Sequence, residues 1–318
     1  MRGLSILDVA ADVVQKHYAL QTDLQLRPLP GRRHVFLVTS KDTRYVLKCV
    51  PVPSVAAERI EFTHRLVRFL EQRNFTTYSL TASVSGCTWV FEHGLVWEMH
   101  TYIDGEPLET IAASPSAVGE LLGRYHNAVH YLIQDGTLEV PVNKNDWYHS
   151  VDPIALLRVF RSFVADNTLA ALIDSLLDKS MLWMDSLAEP QAIIPIHGDV
   201  SASNVIITPV RAYLIDFECA QWEDSLVDLA QAVARLVSAG NPDPETKKRA
   251  VGLLISSYLN SSGLSKPSHD RLVAAASLHL ALDWACEQLR RHTAGCVVHD
   301  EPHADISRAL ESLESCLV

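Results

Sequence analysis

His197-Gly198-Asp199-Val200-Ser201-Ala202-Ser203-Asn204, followed twelve residues on by Asp216-Phe217-Glu218, is the stretch on which the reading of this 318-residue chain turns. A β-rich run, Ile193–Ile196, precedes it; Val205–Thr208 and Ala212–Phe217 follow, joined by Pro209-Val210-Arg211. Short apolar runs with a turn between them read as strand, loop and hairpin. The loop then has Asp199 and Asn204 at its two ends, and the hairpin is expected to return Asp216, at the end of its second strand, beside Asn204. Two carboxylates and an amide so gathered suit phosphoryl transfer. One carboxylate accepts the proton of an attacking hydroxyl, while the other and the amide hold Mg2+ on the phosphates. A capping Asp and a turn Asn in a polar loop would explain the first motif alone, but not the strand–turn–strand that ends in Asp-Phe.

Outward from this centre the chain divides. Residues 4–20 carry apolar positions at helical spacing (Leu4, Leu7, Val9, Ala10, Val13, Val14). His34–Ser40 and Tyr45–Val50 read as strands joined by Lys41-Asp42-Thr43-Arg44, with Pro51 and Pro53 ending the second. Ala56–Arg73 returns to helical spacing, and Thr88–Glu92 and Leu95–Tyr102 are strand-like before Asp104-Gly105 breaks the pattern. Beyond Gly105 helices dominate: Ser116–Ile133, Ile154–Val164, Leu169–Leu187, Ser225–Ser238, Glu245–Asn260, Arg271–Arg291 and Ala304–Leu317. The expectation is an α+β fold of two lobes, a small β-containing lobe over residues 1–103 and a mainly helical lobe over 104–318.

The small lobe offers a phosphate-directed lysine. Lys48 lies in Tyr45-Val46-Leu47-Lys48-Cys49-Val50, the strand context of the kinase V-A-I-K lysine, and the loop pattern corresponds to the kinase H-R-D-x-x-x-x-N and D-F-G. Such a lysine needs an acidic partner on the following helix. Glu58 and Glu61, at i and i+3, both qualify, and Glu61 is preferred as the deeper of the two. The nucleotide-covering turn is Leu29-Pro30-Gly31-Arg32-Arg33-His34, with a single glycine, Gly31, to let backbone N–H groups face phosphate.

Composition narrows the partners. A net charge of −11 and a pI near 5.7 argue against nucleic acid or an anionic membrane surface. Six cysteines without a C-x-x-C pair read as reduced thiols rather than a zinc site or a disulfide framework. The N-terminus has polar residues inside its apolar pattern, unlike a signal peptide, and no apolar run approaches a membrane span. A cytoplasmic enzyme is expected.

These residues resemble the aminoglycoside phosphotransferase/choline kinase superfamily. The resemblance rests on H-G-D-x-x-x-x-N (His197 to Asn204), I-D-F-E (Ile215 to Glu218) and Asp228-Leu229-Ala230. Leu122-Gly123-Arg124-Tyr125-His126 and Tyr102-Ile103-Asp104-Gly105 add to it. It implies a bilobal protein-kinase-like fold with ATP in the cleft, adenine on the hinge backbone near Thr101 and Ile103, Asp199 as base, Asn204 and Asp216 as metal ligands, and Lys48 on the phosphates. The first helix and Gly94-Leu95-Val96-Trp97 are similar to the homoserine- and hydroxylysine-kinase-like branch. Ser203 and His34 depart from the family pattern at positions where glycine and asparagine are common. His126, His197 and Asp228 read as structural.

Three functions compete. A protein kinase needs an activation segment between D-F-G and A-P-E, whereas here a helix follows Asp216 within about ten residues and no A-P-E occurs. A degenerate nucleotide-binding regulator fits poorly with Lys48, Asp199, Asn204 and Asp216 all being present. A small-molecule kinase remains, using Mg-ATP and a hydroxyl acceptor: an amino alcohol, a hydroxy amino acid or an aminosugar. Asp283, Trp284 and Glu287 on the long helix could meet an amine through charge and cation–π contact, and Trp147 and Tyr148 are further candidates.

Overall fold

The computed structural model describes residues 5–20, 23–30, 32, 34–51, 57–135, 153–164, 167–187, 192–239, 243–293 and 301–317. In chain order the elements are α1 (Ile6–His17), β1 (Leu24–Pro28), β2 (Val35–Ser40), β3 (Thr43–Pro51), α2 (Ala57–Gln72), β4 (Leu80–Thr81), β5 (Trp89–Glu92), β6 (Leu95–Thr101) and β7 (Glu106–Pro107). Then come α3 (Pro115–Asp135), α4 (Pro153–Phe163), α5 (Asn167–Ser186), β8 (Ile193–Ile196), β9 (Val205–Ile207), β10 (Ala212–Leu214) and β11 (Gln221–Asp224). Four helices close the chain: α6 (Leu226–Ser238), α7 (Pro244–Ser262), α8 (His269–Thr293) and α9 (Glu301–Leu317). The expected α+β class holds, and every expected helix and strand forms within a few residues. The short strands β1, β4, β7 and β11 lack a run long or apolar enough to announce themselves.

By contacts the chain forms two compact units, and they do not divide by sequence order alone. The boundary expected at residue 103 falls after Glu106, and Thr208–Glu218 belongs to the first unit. Asp216 therefore stands on the same unit as Lys48, although its motif lies in the middle of the helical sequence.

The first unit is an antiparallel sheet in the order β1-β2-β3-β6-β4, with β5 also on β6. β2 and β3 meet at Lys41-Asp42, a two-residue hairpin turn with Lys41 at φ 50. On one face α1 buries Val9, Ala10, Val13 and Val14 against Phe36, Val38, Leu47, Trp97 and Met99. That burial removes several side chains from water at roughly 1.5–3 kcal/mol each. Ser5 begins α1 with a reciprocal capping box to Asp8. α2 buries Ile60, Phe62, Leu66, Val67 and Leu70.

The second unit is helical around the antiparallel pair β8–β11, in which Ile196 lies opposite Gln221. α3 and α7 cross closely, because Gly119 and Gly123 let the helices meet backbone to backbone: a Cβ at either position would overlap the carbonyl of Leu254 or Tyr258. Arg271 on α8 pairs with Asp224 on β11 at 2.8 Å. α7 starts on an Asp243 cap and ends at Gly263 in the left-handed region (φ 65). No helix among the described residues is long and apolar enough to cross a membrane.

Candidate active site

In the first unit the site is built on β3. The strand register sets Lys48 opposite Val35 on one side and Glu98 on the other. Its Nζ lies 2.8 Å from Asp216 Oδ1 and 2.8 Å from Glu218 Oε1, and Arg32 reaches to 3.9 Å from Asp216 Oδ2. Burial alone would pull the Lys48 pKa down, but the carboxylates of Asp216, Glu218 and Glu98 hold it well above the ordinary lysine value. The Glu218 pKa is raised as well: burial lifts the carboxyl against the pull of Lys48.

Asp216 does not end a strand as expected. β10 stops at Leu214, and Asp216 sits in the left-handed region at φ 69 before a short 3-10 turn over Phe217–Cys219. A short polar side chain tolerates that backbone better than most. Neighbouring elements fix the segment. Leu214 N–H donates to the Thr76 carbonyl at 3.0 Å, Phe217 is buried edge-on to Tyr78, and Arg59 Nε donates to the Glu218 carbonyl at 2.8 Å. The hairpin turn itself is closed by Thr208 N–H donating to Arg211 O at 3.0 Å.

The expected pairing of Lys48 with Glu61, or with Glu58, is not formed. Both glutamates are exposed, because α2 turns its Ile60, Thr63, Leu66, Val67 stripe inward and leaves positions 58 and 61 on the opposite side. Lys48 takes Asp216 and Glu218 instead. α2 contributes Arg59, and also His64, whose Nε2 lies 2.6 Å from Glu98 Oε2 and whose Nδ1 lies 2.7 Å from the Thr88 hydroxyl. Glu98 is buried; desolvation would raise its pKa, but His100, 3.0 Å away, and His64 hold it well below the ordinary range. Glu98 was legible as a charge inside the apolar strand LVWEMHT.

At the expected hinge, Thr101 N–H donates to Ser79 O at 2.8 Å and Gly105 N–H donates to Ile103 O at 3.0 Å. Two backbone groups at these positions are thereby engaged locally. Gly31 lies outside the described residues, as do Trp147 and Tyr148.

In the second unit the loop after β8 holds the other half of the motif. Gly198 adopts φ 79, and a Cβ there would overlap the Cys219 carbonyl, so the Gly in H-G-D is required by conformation and by space. Asn204 closes a 3-10 turn and is buried. Its Nδ2 donates to the Asp199 backbone carbonyl at 3.0 Å and to Asp199 Oδ2 at 2.9 Å. The amide nitrogen thus faces Asp199, and the amide oxygen is left as the ligand-type atom. An amide oxygen and a carboxylate such as that of Asp216 are each donors of the hard-oxygen type that Mg2+ takes.

α6 anchors this loop. Asp228, fully buried, accepts from His197 N–H at 2.7 Å and Gly198 N–H at 2.8 Å, and its Oδ2 lies 3.0 Å from His126 Nε2. Burial pushes this carboxyl up, but the hydrogen bonds from His126 and the His197 backbone hold its pKa below the ordinary value. Gln231 accepts from Val200 N–H at 3.1 Å and donates to Gly198 O at 3.0 Å. His126 also meets the Tyr258 hydroxyl at 2.9 Å. Arg235, which the sequence reading missed, places Nη1 2.8 Å from Asp199 Oδ1. Asp283 stands 4.0 Å from Arg235 and 3.1 Å from His279. Trp284 is buried edge-on to Phe160, which places it in the core rather than on an amine.

The sequence model of the phosphotransferase enzyme family matches residues 25–256, more than two thirds of the chain. The chain belongs to that family. Its members are enzymes, and the kinase-type motifs described above lie inside the matched region. No curated protein matches the chain. Solved structures share its fold at low identity. An amicoumacin kinase, hAmiN, solved with AMP-PNP, Ca2+ and Ami, is 13% identical, with 96% of this chain and 92% of that one covered and a TM-score of 0.72. A microcompartment-associated aminopropanol kinase is 16% identical, with 96% and 95% covered and a TM-score of 0.68. The choline kinase LicA from Streptococcus pneumoniae is 15% identical, with 96% and 98% covered and a TM-score of 0.59. At these identities the likeness is one of fold, the α+β protein-kinase-like architecture.

Proposed function

We propose that this enzyme transfers the γ-phosphoryl group of ATP to a hydroxyl of a small molecule, with Asp199 as the general base. The observation that carries the reading is the Asp199 carboxylate itself: Asn204 fixes it at 2.9 Å, yet a third of its side chain remains accessible. A base must be held and still be reachable. Lys48 is assigned to the phosphates, Asn204 and Asp216 to the metal, and Thr101 and Ile103 to the adenine edge, with Gly31 in the covering turn. Bound Mg2+ would offset phosphate charge as it shifts toward the leaving ADP. The protein's own part is to orient the acceptor, take its proton on Asp199 and keep Lys48 cationic.

An amine-bearing acceptor, an amino alcohol, hydroxy amino acid or aminosugar, is the class we favour. The aminopropanol and choline kinases act on amino alcohols, and Asp283 is a partly exposed carboxylate within the reach of the Asp199 network. A peptide acceptor is disfavoured, because β11 and then α6 follow Asp216 within ten residues. We place the enzyme in the cytoplasm, where a chain whose six cysteines form no C-x-x-C pair keeps them as thiols.

The test is ADP release with Mg-ATP across amino alcohols, hydroxy amino acids, aminosugars and neutral polyols. Acceptor-dependent release that Asp199→Ala lowers by roughly 10²–10⁴-fold is expected. Near-normal turnover by that variant would remove Asp199 from the mechanism, and turnover with neutral polyols alone would remove the amine.

A further inference from the structure

Among the apolar residues of α6, LVDLAQAVARLVS, three polar side chains recur at i, i+3 and i+7: Asp228, Gln231 and Arg235. That spacing puts them on one helix face, and each holds a different part of the loop from His197 to Asn204. Asp228 takes the N–H groups of His197 and Gly198, Gln231 takes Val200 N–H and Gly198 O, and Arg235 takes the carboxylate of Asp199. The first two contacts are to backbone and build the loop. The third is to the side chain assigned to the chemistry. The loop contains no Lys or Arg of its own, so the cation beside Asp199 comes from α6.

We infer that Arg235 is the positioning residue of the base, an inference that rests on the assignment of Asp199 proposed above. Arg235 Nη1 makes an ion pair with Oδ1 at 2.8 Å and Asn204 Nδ2 donates to Oδ2 at 2.9 Å, so each oxygen of the carboxylate has a cation or a donor against it. Each carboxylate oxygen has two lone pairs. Those left by Arg235 and Asn204 remain to take the acceptor's proton. Arg235 is held in turn from α8: Asp283 Oδ2 lies 4.0 Å from its Nε and 3.1 Å from the buried His279. In the transfer step the acceptor O–H proton passes to Asp199, the acceptor oxygen bonds to phosphorus, and ADP leaves with the electron pair of the broken P–O bond. Arg235 keeps its protons throughout, as a guanidinium does at any working pH.

The experiment uses the full chain and reads ADP release from Mg-ATP with 1-amino-2-propanol, with choline and with water as acceptors. Arg235→Ala is expected to lower kcat by about 10²-fold, the usual consequence of a misplaced reacting group. Its KM for ATP should stay within about twofold, and its thermal stabilisation by Mg-AMP-PNP should be unchanged. Added guanidinium should restore part of the rate, and Arg235→Lys should recover less than guanidinium geometry provides, because an ammonium cannot reproduce the planar fork. A kcat within twofold of the parent, or a lost rate accompanied by a lost AMP-PNP shift, would overturn the inference. Asp199→Ala separates the two readings: if it abolishes turnover while Arg235→Ala does not, the positioning role alone falls. A cycle of melting temperatures tests the contact without turnover. Combining Asp199→Asn with Arg235→Gln should cost no more than Arg235→Gln alone, and strictly additive losses would show that the two side chains do not act as a pair.

Discussion

At the scale of single residues, the site depends on charges whose ionisation the fold controls. Lys48 is buried between Asp216 and Glu218, whose carboxylates raise its pKa and favour the cation. Lys48→Met should therefore raise the KM for ATP by about tenfold or more, with a smaller effect on acceptor KM, as steady-state kinetics would show. Asp228 touches no substrate in this assignment but is the fully buried anion that organises the loop backbone. Asp228→Asn leaves two N–H donors with a poorer, neutral acceptor and weakens the contact with His126, at a cost of about 1–3 kcal/mol. Urea unfolding would measure it, and a loss under 1 kcal/mol would contradict the role. Asp199, Asn204, Asp216 and Lys48 stand in local patterns that a linear reading can see. Arg235 does not: its only trace was polar periodicity on an apolar helix.

At the scale of elements, helix faces and close approaches decide what the residues can do. A kinase-type lysine takes its acid from the next helix, where Glu61 stands. The rotation of α2 about its axis, set by its apolar stripe, instead turned Glu58 and Glu61 outward and brought Arg59 and His64 inward. The missing carboxylate was supplied by Glu218, two residues beyond Asp216. α3 and α7 meet backbone to backbone, and Gly119→Ala would drive a methyl group into the Leu254 carbonyl. The expected result is a destabilisation of about 1–3 kcal/mol with the KM for ATP unchanged, since overpacking is felt where the helices meet. A variant as stable as the parent would mean that the helices can part without cost.

For the whole molecule, stability is linked to pH and, in the proposed assignment, to the bound nucleotide and metal. Glu98 and Asp228 both have folded-state pKa values below their ordinary values of 4.5 and 3.8. A carboxylate of this kind contributes stability that is complete above its unfolded pKa and is lost as pH falls toward its folded one. The urea midpoint should therefore hold steady from pH 8 to 6 and drop once pH falls below about 4.5. A midpoint that rose on acidification would reverse the sign and sink the account. Mg-AMP-PNP at 100 times its Kd should stabilise the fold by about 2.7 kcal/mol. Chelating the metal, or replacing Asp216 by Ala, should remove most of the resulting shift in melting temperature.

The sequence by itself determined the class of the fold, the order of nearly all its elements and the identity of the motif residues. Period and turn chemistry are local properties, and a loop bounded by strands carries its own geometry. Only the tertiary structure decided which charges meet. It put Thr208–Glu218 on the unit that holds Lys48, chose Glu218 over Glu61, buried Trp284 in the core and brought Arg235 onto Asp199. Those outcomes depend on how far each helix is rotated when its apolar face is buried, a quantity fixed by packing against residues distant in the chain.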